Sequence, residues 1–174
     1  MADRLTGVLL VGGASRRFGS PKALAQLRGR TLAELAWDAL AFCDERIAVG
    51  KAGELELPFP VADDGTSVRA SIAGVVAGLR SARNDRCVVL PVDVPRITRE
   101  ALEKLAAAGG DAAVPQTGPL PGAFSRSALR VLERRLAAGQ LALHEALGEL
   151  DARVVMIDPS LLANVNTPDE LSRL

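Results

Sequence analysis

The sequence predicts an α/β protein: a three-layer α/β/α sandwich around a mostly parallel, mixed sheet. Three observations carry that expectation. Apolar runs of strand length alternate with stretches of helical periodicity along nearly the whole chain. Two of those runs, Leu5–Val11 and Arg86–Asp93, have unbroken apolar centres, as strands covered on both faces do. Polar residues suited to N-caps stand at the helix starts Thr31, Thr98 and Thr167.

The elements follow in order. Leu5–Val11 reads as the first strand. Thr31-Leu32-Ala33-Glu34 is a capping box, with Thr31 as N-cap and Glu34 at the third helical position. Leu32, Leu35, Ala36 and Leu40 mark the apolar face of a helix that should reach about Cys43. Arg46–Gly50 is a short second strand, and residues 51–60, with one glycine and two prolines, read as loop. Ile72, Val75, Val76 and Leu79 recur at i, i+3, i+4 and i+7, an amphipathic helix. Arg86–Asp93 is a buried strand, and Thr98 opens a helix through Leu102 and Leu105 that Gly109-Gly110 stops. Asp111–Pro115 and Leu120–Ser125 read as strands of a hairpin-like excursion across a Gly/Pro turn. Leu129, Leu132 and Leu136 make one more helix, closed by Gly139, and Leu143, Ala146, Leu147 and Leu150 another. Arg153–Ile157 is a last strand, and Thr167-Pro168-Asp169-Glu170 starts a final helix.

Size and composition narrow the functional classes. A chain of 174 residues has the length of one domain, residues 1–174. Such a chain buries about 70% of its unfolded surface and needs no covalent staples. With 21 basic and 21 acidic residues the formal charge is zero, and aromatic residues are 3% of the chain. That leaves neither a broad basic face nor stacking platforms for nucleic acid. No apolar stretch approaches the roughly 20 residues of a membrane span, and no signal peptide precedes the first strand. Cys43 and Cys87 have no metal-ligand or redox spacing, so a reduced, cytoplasmic compartment is expected.

The most informative segment is LTGVLLVGGASRRFGSPK, residues 5–22. An apolar strand breaks into Gly12-Gly13, and the loop then carries Arg16, Arg17, Gly19 and Lys22. Between Leu5 and Ala33 stand five basic residues and no acid, a local concentration in a neutral chain. Backbone N–H groups and cations in such a loop suit a polyphosphate. The known phosphate-loop patterns fail: GxxxxGK[ST] wants the Lys directly after the second Gly, and GxGxxG is broken because Gly12 and Gly13 are adjacent. GxSxG fails as well, with Arg17 in its fifth place, so Ser15 is a loop hydroxyl and not a nucleophile.

What remains, GGxSxRxGxxK after a strand, resembles the signature of the sugar-nucleotide and cofactor nucleotidyltransferases, and most closely the molybdenum cofactor guanylyltransferase family (molybdopterin-guanine dinucleotide synthases). Further segments occur in that family's order. Leu90-Pro91-Val92-Asp93-Val94-Pro95 resembles its CDxP segment with Val92 in place of Cys. Asn164-Val165-Asn166-Thr167-Pro168 resembles its NxNTP segment, and Asp63 stands where a nucleotide-contacting Asp is found. Pro119–Phe124 with Ser127–Leu129 resembles a looser acceptor-side segment. The chain departs from the family at Ala70-Ser71-Ile72-Ala73-Gly74, where a GPLAG-like turn is usual.

The resemblance implies a Rossmann-like nucleotidyltransferase fold and a reaction that joins the GMP part of GTP to the phosphate of molybdenum-loaded molybdopterin, releasing pyrophosphate. It implies Arg16, Lys22 and Asp93 as catalytic residues. It also implies Leu10, Val11, Gly12, Gly13, Lys22, Asp63 and Asp93 as nucleotide-binding residues, with Mg²⁺ on Asp93. Besides GTP and molybdopterin, the partners it suggests are proteins that handle molybdopterin or mature molybdoenzymes. Asp93 has a plain alternative as a turn or capping residue. Asn164 and Asn166 have one too, since Thr167, Pro168 and Glu170 make a helix start without any ligand. Two rival functions stay open: transfer of another base or to another acceptor, as in a cytidylyltransferase, and a nucleotide-binding adaptor of the same fold. His144 and the run Glu133-Arg134-Arg135 read as surface, and Trp37 as packing.

Overall fold

The computed structural model describes residues 3–12 and 18–174. Its centre is β1 (Leu5–Leu10), which pairs in parallel with β4 (Glu45–Gly50) on one side and β6 (Arg86–Pro91) on the other. The register of the second pair runs from Leu5↔Arg86 to Leu10↔Pro91, so both strands end at one level. Outside β4 lies β5 (Val61–Asp63), also parallel. Beyond β6 come β8 (Gly122–Ser125), β7 (Ala112–Pro115) and β9 (Ala152–Val155). Among the described residues these seven strands form one sheet, in the order β5-β4-β1-β6-β8-β7-β9, with β8 alone running against its neighbours. A separate hairpin joins β2 (Gln26–Leu27) to β3 (Arg30–Thr31).

Helices cover both faces, as expected. On one face α1 (Leu32–Ala39), α3 (Arg99–Ala107) and α6 (Pro168–Ser172) close a cluster with Leu9, Val88 and Leu90. On the other, α2 (Ser71–Ser81), α4 (Leu129–Ala137) and α5 (Leu143–Ala146) pack on Val8, Leu10 and Val89. The unbroken apolar run is thereby explained, since successive side chains of β1 and β6 enter opposite cores. The capping box at Thr31 and Glu34 is complete in both directions, and the Thr98 hydroxyl accepts from the Ala101 N–H.

Several expectations need correction. The first helix ends at Ala39 and not near Cys43, because Leu40 and Cys43 fold over the bare backbone of Gly7. The 112–125 strands are not an excursion: buried residues of β8 insert between β6 and β7 in the main sheet. Arg135 is no surface residue; it is buried and paired with Glu145 and Glu149. His144 is exposed, and Trp37 stacks on Phe59 with ring centroids 4.2 Å apart, both as read from sequence. Three strands escaped that reading. Three residues of β5 are too few to show alternation, and the β2–β3 hairpin turns on Arg28 and Gly29, both at positive φ.

Helix α2 lies unusually close to β1. A Cβ on Gly78 would sit 2.5 Å from Val8 Cγ1, and one on Gly74 would sit 2.7 Å from Leu10 Cδ2. These two glycines let the helix backbone rest on the strand and carry its first turn to the strand's carboxyl end. At an exposed helix site Gly→Ala would stabilise by about 1 kcal/mol. Gly78→Ala should instead destabilise, by roughly 1–3 kcal/mol, because the overpacked atom is a stiff Val in the core. Chemical denaturation of the variant checks the sign.

Candidate active site

The parallel strands β1, β4 and β6 deliver their carboxyl ends to one side of the sheet, where open α/β sheets hold ligands. A cleft lies there with two lobes, of about 340 and 560 Å³. Leu10, Gly12, Lys51, Pro91 and Asp93 line both. The larger lobe runs along Gly19–Lys22, and the smaller reaches the first turn of α2, Leu120 and Asn164. Close backbone approach shapes the floor: a Cβ on Gly50 would meet the Gly12 nitrogen at 3.1 Å and Val11 Cγ2 at 3.0 Å.

Lys22 opens a short 3₁₀ turn after Pro21, fixed by the buried Ala23. Its ammonium lies 3.6 Å from the Asp93 carboxylate and donates to Asn166 Oδ1 at 3.3 Å. Asp93 stands two residues past the end of β6, in a turn, and keeps 27% of its side chain exposed. A carboxylate so placed avoids the cost of full desolvation and faces the cleft. The Val165 N–H donates to the Asp93 carbonyl at 2.8 Å, which stitches the 164–166 segment to the end of β6. Three residues read separately from the sequence, at 22, 93 and 166, therefore meet, and Asn164 lines the smaller lobe beside them.

The helix start at Thr167 differs in one detail from a capping box. The Thr167 hydroxyl accepts from the Glu170 N–H, but the Glu170 carboxylate reaches one residue further back, to the Asn166 N–H at 2.6 Å. Cap and site thus share one bond, and the Asn166 side chain remains free to meet Lys22.

Leu10, Val11, Gly12, Lys22 and Asp93 all line the cleft. Gly13 and Arg16 lie outside the described residues, as does Arg17. Asp63 is not among the residues that line either lobe. It is exposed, and its carboxylate accepts from the Gly65 and Ala52 N–H groups, which hold its carboxyl below the ordinary carboxylate value. Asp64 lines the cleft instead, bonded to Lys51. Lys51 and Ser71 were missed in the sequence. A basic residue directly after a strand that ends in Gly50 was the available signal for Lys51.

Other chemistry is poorly served. Burial pushes the thiols of Cys43 and Cys87 up to about 12, so neither is a thiolate nucleophile at neutral pH. Among the described residues no group of three or more His, Cys, Asp or Glu could hold a metal. No described helix is long and apolar enough to cross a membrane. Among the described residues the site offers cations, the unburied carboxylate of Asp93, amide groups and bare backbone, which is equipment for positioning an anion.

Comparison with known proteins agrees. The family model of the MobA-like NTP transferase domain matches residues 7–154. The chain belongs to the MobA-like NTP transferase family. It is 31% identical to the molybdenum cofactor guanylyltransferase of Desulfosudis oleivorans, over 98% of this chain and 94% of that protein. To the molybdenum cofactor guanylyltransferase of Pseudomonas putida it is also 31% identical, over 94% of each. Its fold is similar to the crystal structure of molybdopterin-guanine dinucleotide biosynthesis protein A from Archaeoglobus fulgidus, with a TM-score of 0.83, 27% identity, and 97% of this chain and 95% of that one covered.

Cap and site can be separated in this family member. Thr167→Ala removes a capping hydroxyl and should cost roughly 1 kcal/mol of stability. Asn166→Ala leaves the backbone bond to Glu170 in place, so its melting temperature should stay close to that of the unmodified chain. Thermal denaturation of the two variants side by side checks this.

Proposed function

We propose that this chain transfers the GMP part of GTP to the phosphate of molybdenum-loaded molybdopterin and releases pyrophosphate, with residues 1–174 working as one nucleotidyltransferase domain. The observation that carries the reading is the meeting of Lys22, Asp93 and Asn166 at the mouth of β1 and β6. The names of the relatives supply the base and the acceptor.

The reaction is an in-line displacement. An oxygen of the acceptor phosphate bonds to the α-phosphorus of GTP as the bond from that phosphorus to the bridging oxygen breaks, and pyrophosphate leaves with the electron pair. Little covalent work falls to the protein, whose part is positioning and charge neutralisation. Lys22 would exchange its contact with Asp93 for a triphosphate oxygen, a charge-assisted bond. The bare backbone at Gly12 and Gly50 lets the phosphates approach the strand ends. Arg16, in the same loop, adds positive charge.

The donor set fits Mg²⁺. That ion keeps several waters and takes one or two carboxylates together with phosphate oxygens, and Asp93 is a single, partly exposed carboxylate beside the amide side chains of Asn164 and Asn166. Asp93 would hold the ion, and the amide side chains of Asn164 and Asn166 could serve its bound water. Bound there, Mg²⁺ neutralises charge on the phosphates.

Pyrophosphate release with molybdenum-loaded molybdopterin and each of the four NTPs tests the proposal. Turnover should be confined to GTP. A preference for CTP would make the chain a cytidylyltransferase, and a Mg²⁺-dependent thermal shift with GTP but no turnover would make it a binding domain. In the same assay Asp93→Asn should abolish most turnover while the melting temperature holds. Lys22→Ala should lower GTP affinity or turnover roughly 10- to 100-fold.

A further inference from the structure

Lys51 lines both lobes of the cleft and looks at first like a second phosphate ligand. Its contacts say otherwise. The ammonium donates to both carboxylate oxygens of Asp64, at 2.7 and 2.8 Å, to the Val68 carbonyl at 2.9 Å and to the Thr66 carbonyl. An ammonium has three N–H groups, and these four acceptors occupy them. The side chains of Lys51 and Asp64 are only 13% and 8% exposed. Asp64 is tied further, by its N–H to the Gly50 carbonyl at 2.9 Å and by its carboxylate to the Thr66 N–H at 3.2 Å. At the rim, Glu54 and Arg69 join the same two segments by an exposed ion pair.

The segment so held, residues 64–70, forms one wall of the smaller lobe and leads into the first turn of α2. It carries few ladder bonds of its own. Ala70, the N-cap of α2, contributes no side-chain cap. No proline stands between Asp64 and Gly74 to fix the entry.

We propose that Lys51 and Asp64 form a strut that positions the 64–70 wall for the nucleotide, so that Lys51 acts on binding through that wall and not by touching phosphate. The inference rests on the functional reading above, since it takes a nucleotide to occupy the lobe. Its consequence is a distinctive sign. If Lys51 were a phosphate ligand, Asp64→Asn would free the ammonium and leave the KM for GTP unchanged or lower. For a strut, Asp64→Asn and Lys51→Met damage the same wall, and both raise the KM.

The test measures steady-state kinetics with GTP for Lys51→Met, Asp64→Asn and the double variant, with amide hydrogen exchange of segment 64–70 for each. We expect the KM for GTP to rise roughly tenfold in both single variants, with kcat within about threefold. The double variant should be no worse than the poorer single one, because the first change already breaks the pair. Exchange across 64–70 should quicken in all three, and Lys51→Arg should recover part of the loss. A KM that rises in Lys51→Met but not in Asp64→Asn overturns the strut, as does unchanged exchange in 64–70. Failure of both single variants to fold overturns it too, since the pair would then serve the fold. If the unmodified protein turns over no NTP, the functional reading fails, while the exchange measurement still decides whether the pair holds the wall.

Discussion

Parallel pairing of β1 with β6, in the register that sets Leu10 against Pro91, ends two buried strands at the same level. Beyond the ends of these strands the chain supplies the site's charges, Lys22 after β1 and Asp93 after β6. A one-residue slip would move every side chain of the strand to the opposite core and turn Val8 and Leu10 away from α2. Burial on both faces therefore fixes the register, and the register fixes the distance between the Lys22 loop and Asp93. The C-terminal segment adds the third member through the bond from the Val165 N–H to the Asp93 carbonyl. The site is a consequence of the sheet.

Two cations, Arg86 and Lys51, hold backbone in place, whereas the buried Arg135 pairs with the side chains of Glu145 and Glu149. Arg86, 6% exposed, gives its guanidinium to the carbonyls of Leu105, Ala106, Gly109 and Gly110 and to the Ser125 hydroxyl. It thereby closes the carboxyl end of α3, where the helix leaves its last carbonyls without partners. Lys51 treats the 64–68 turn in the same manner. Both residues bind main-chain oxygens where the chain changes direction, one at each end of the sheet. By contrast the contacts of Lys22 among the described residues are long, at 3.3 and 3.6 Å, and leave it capacity for a ligand.

Much of this was legible in the sequence because the relevant signals were local. The apolar runs of β1 and β6, the capping box at Thr31 and the Thr98 cap depend on neighbours within a few residues. The order of the site residues, Gly12, Lys22, Asp93 and Asn166, could be read from motifs that keep fixed spacing. What could not be read depends on long-range pairing. The sequence does not say that β8 inserts between β6 and β7, nor that Arg135 turns inward to Glu145 and Glu149. The choice between Asp63 and Asp64 is of this kind. They are adjacent and chemically identical, and only the pairing of β5 with β4, which brings Lys51 within reach of one of them, tells them apart.

The central claim is that loops from opposite ends of the chain act as one site, through contacts spanning 144 residues between Lys22 and Asn166. A double-mutant cycle on GTP affinity in the presence of Mg²⁺, with Lys22→Ala, Asn166→Ala and the pair combined, measures that directly. The account predicts a coupling free energy of about 0.5–3 kcal/mol, as for groups that share a partner. Additive effects within about 0.3 kcal/mol would mean that the two residues meet without acting together, and would contradict it.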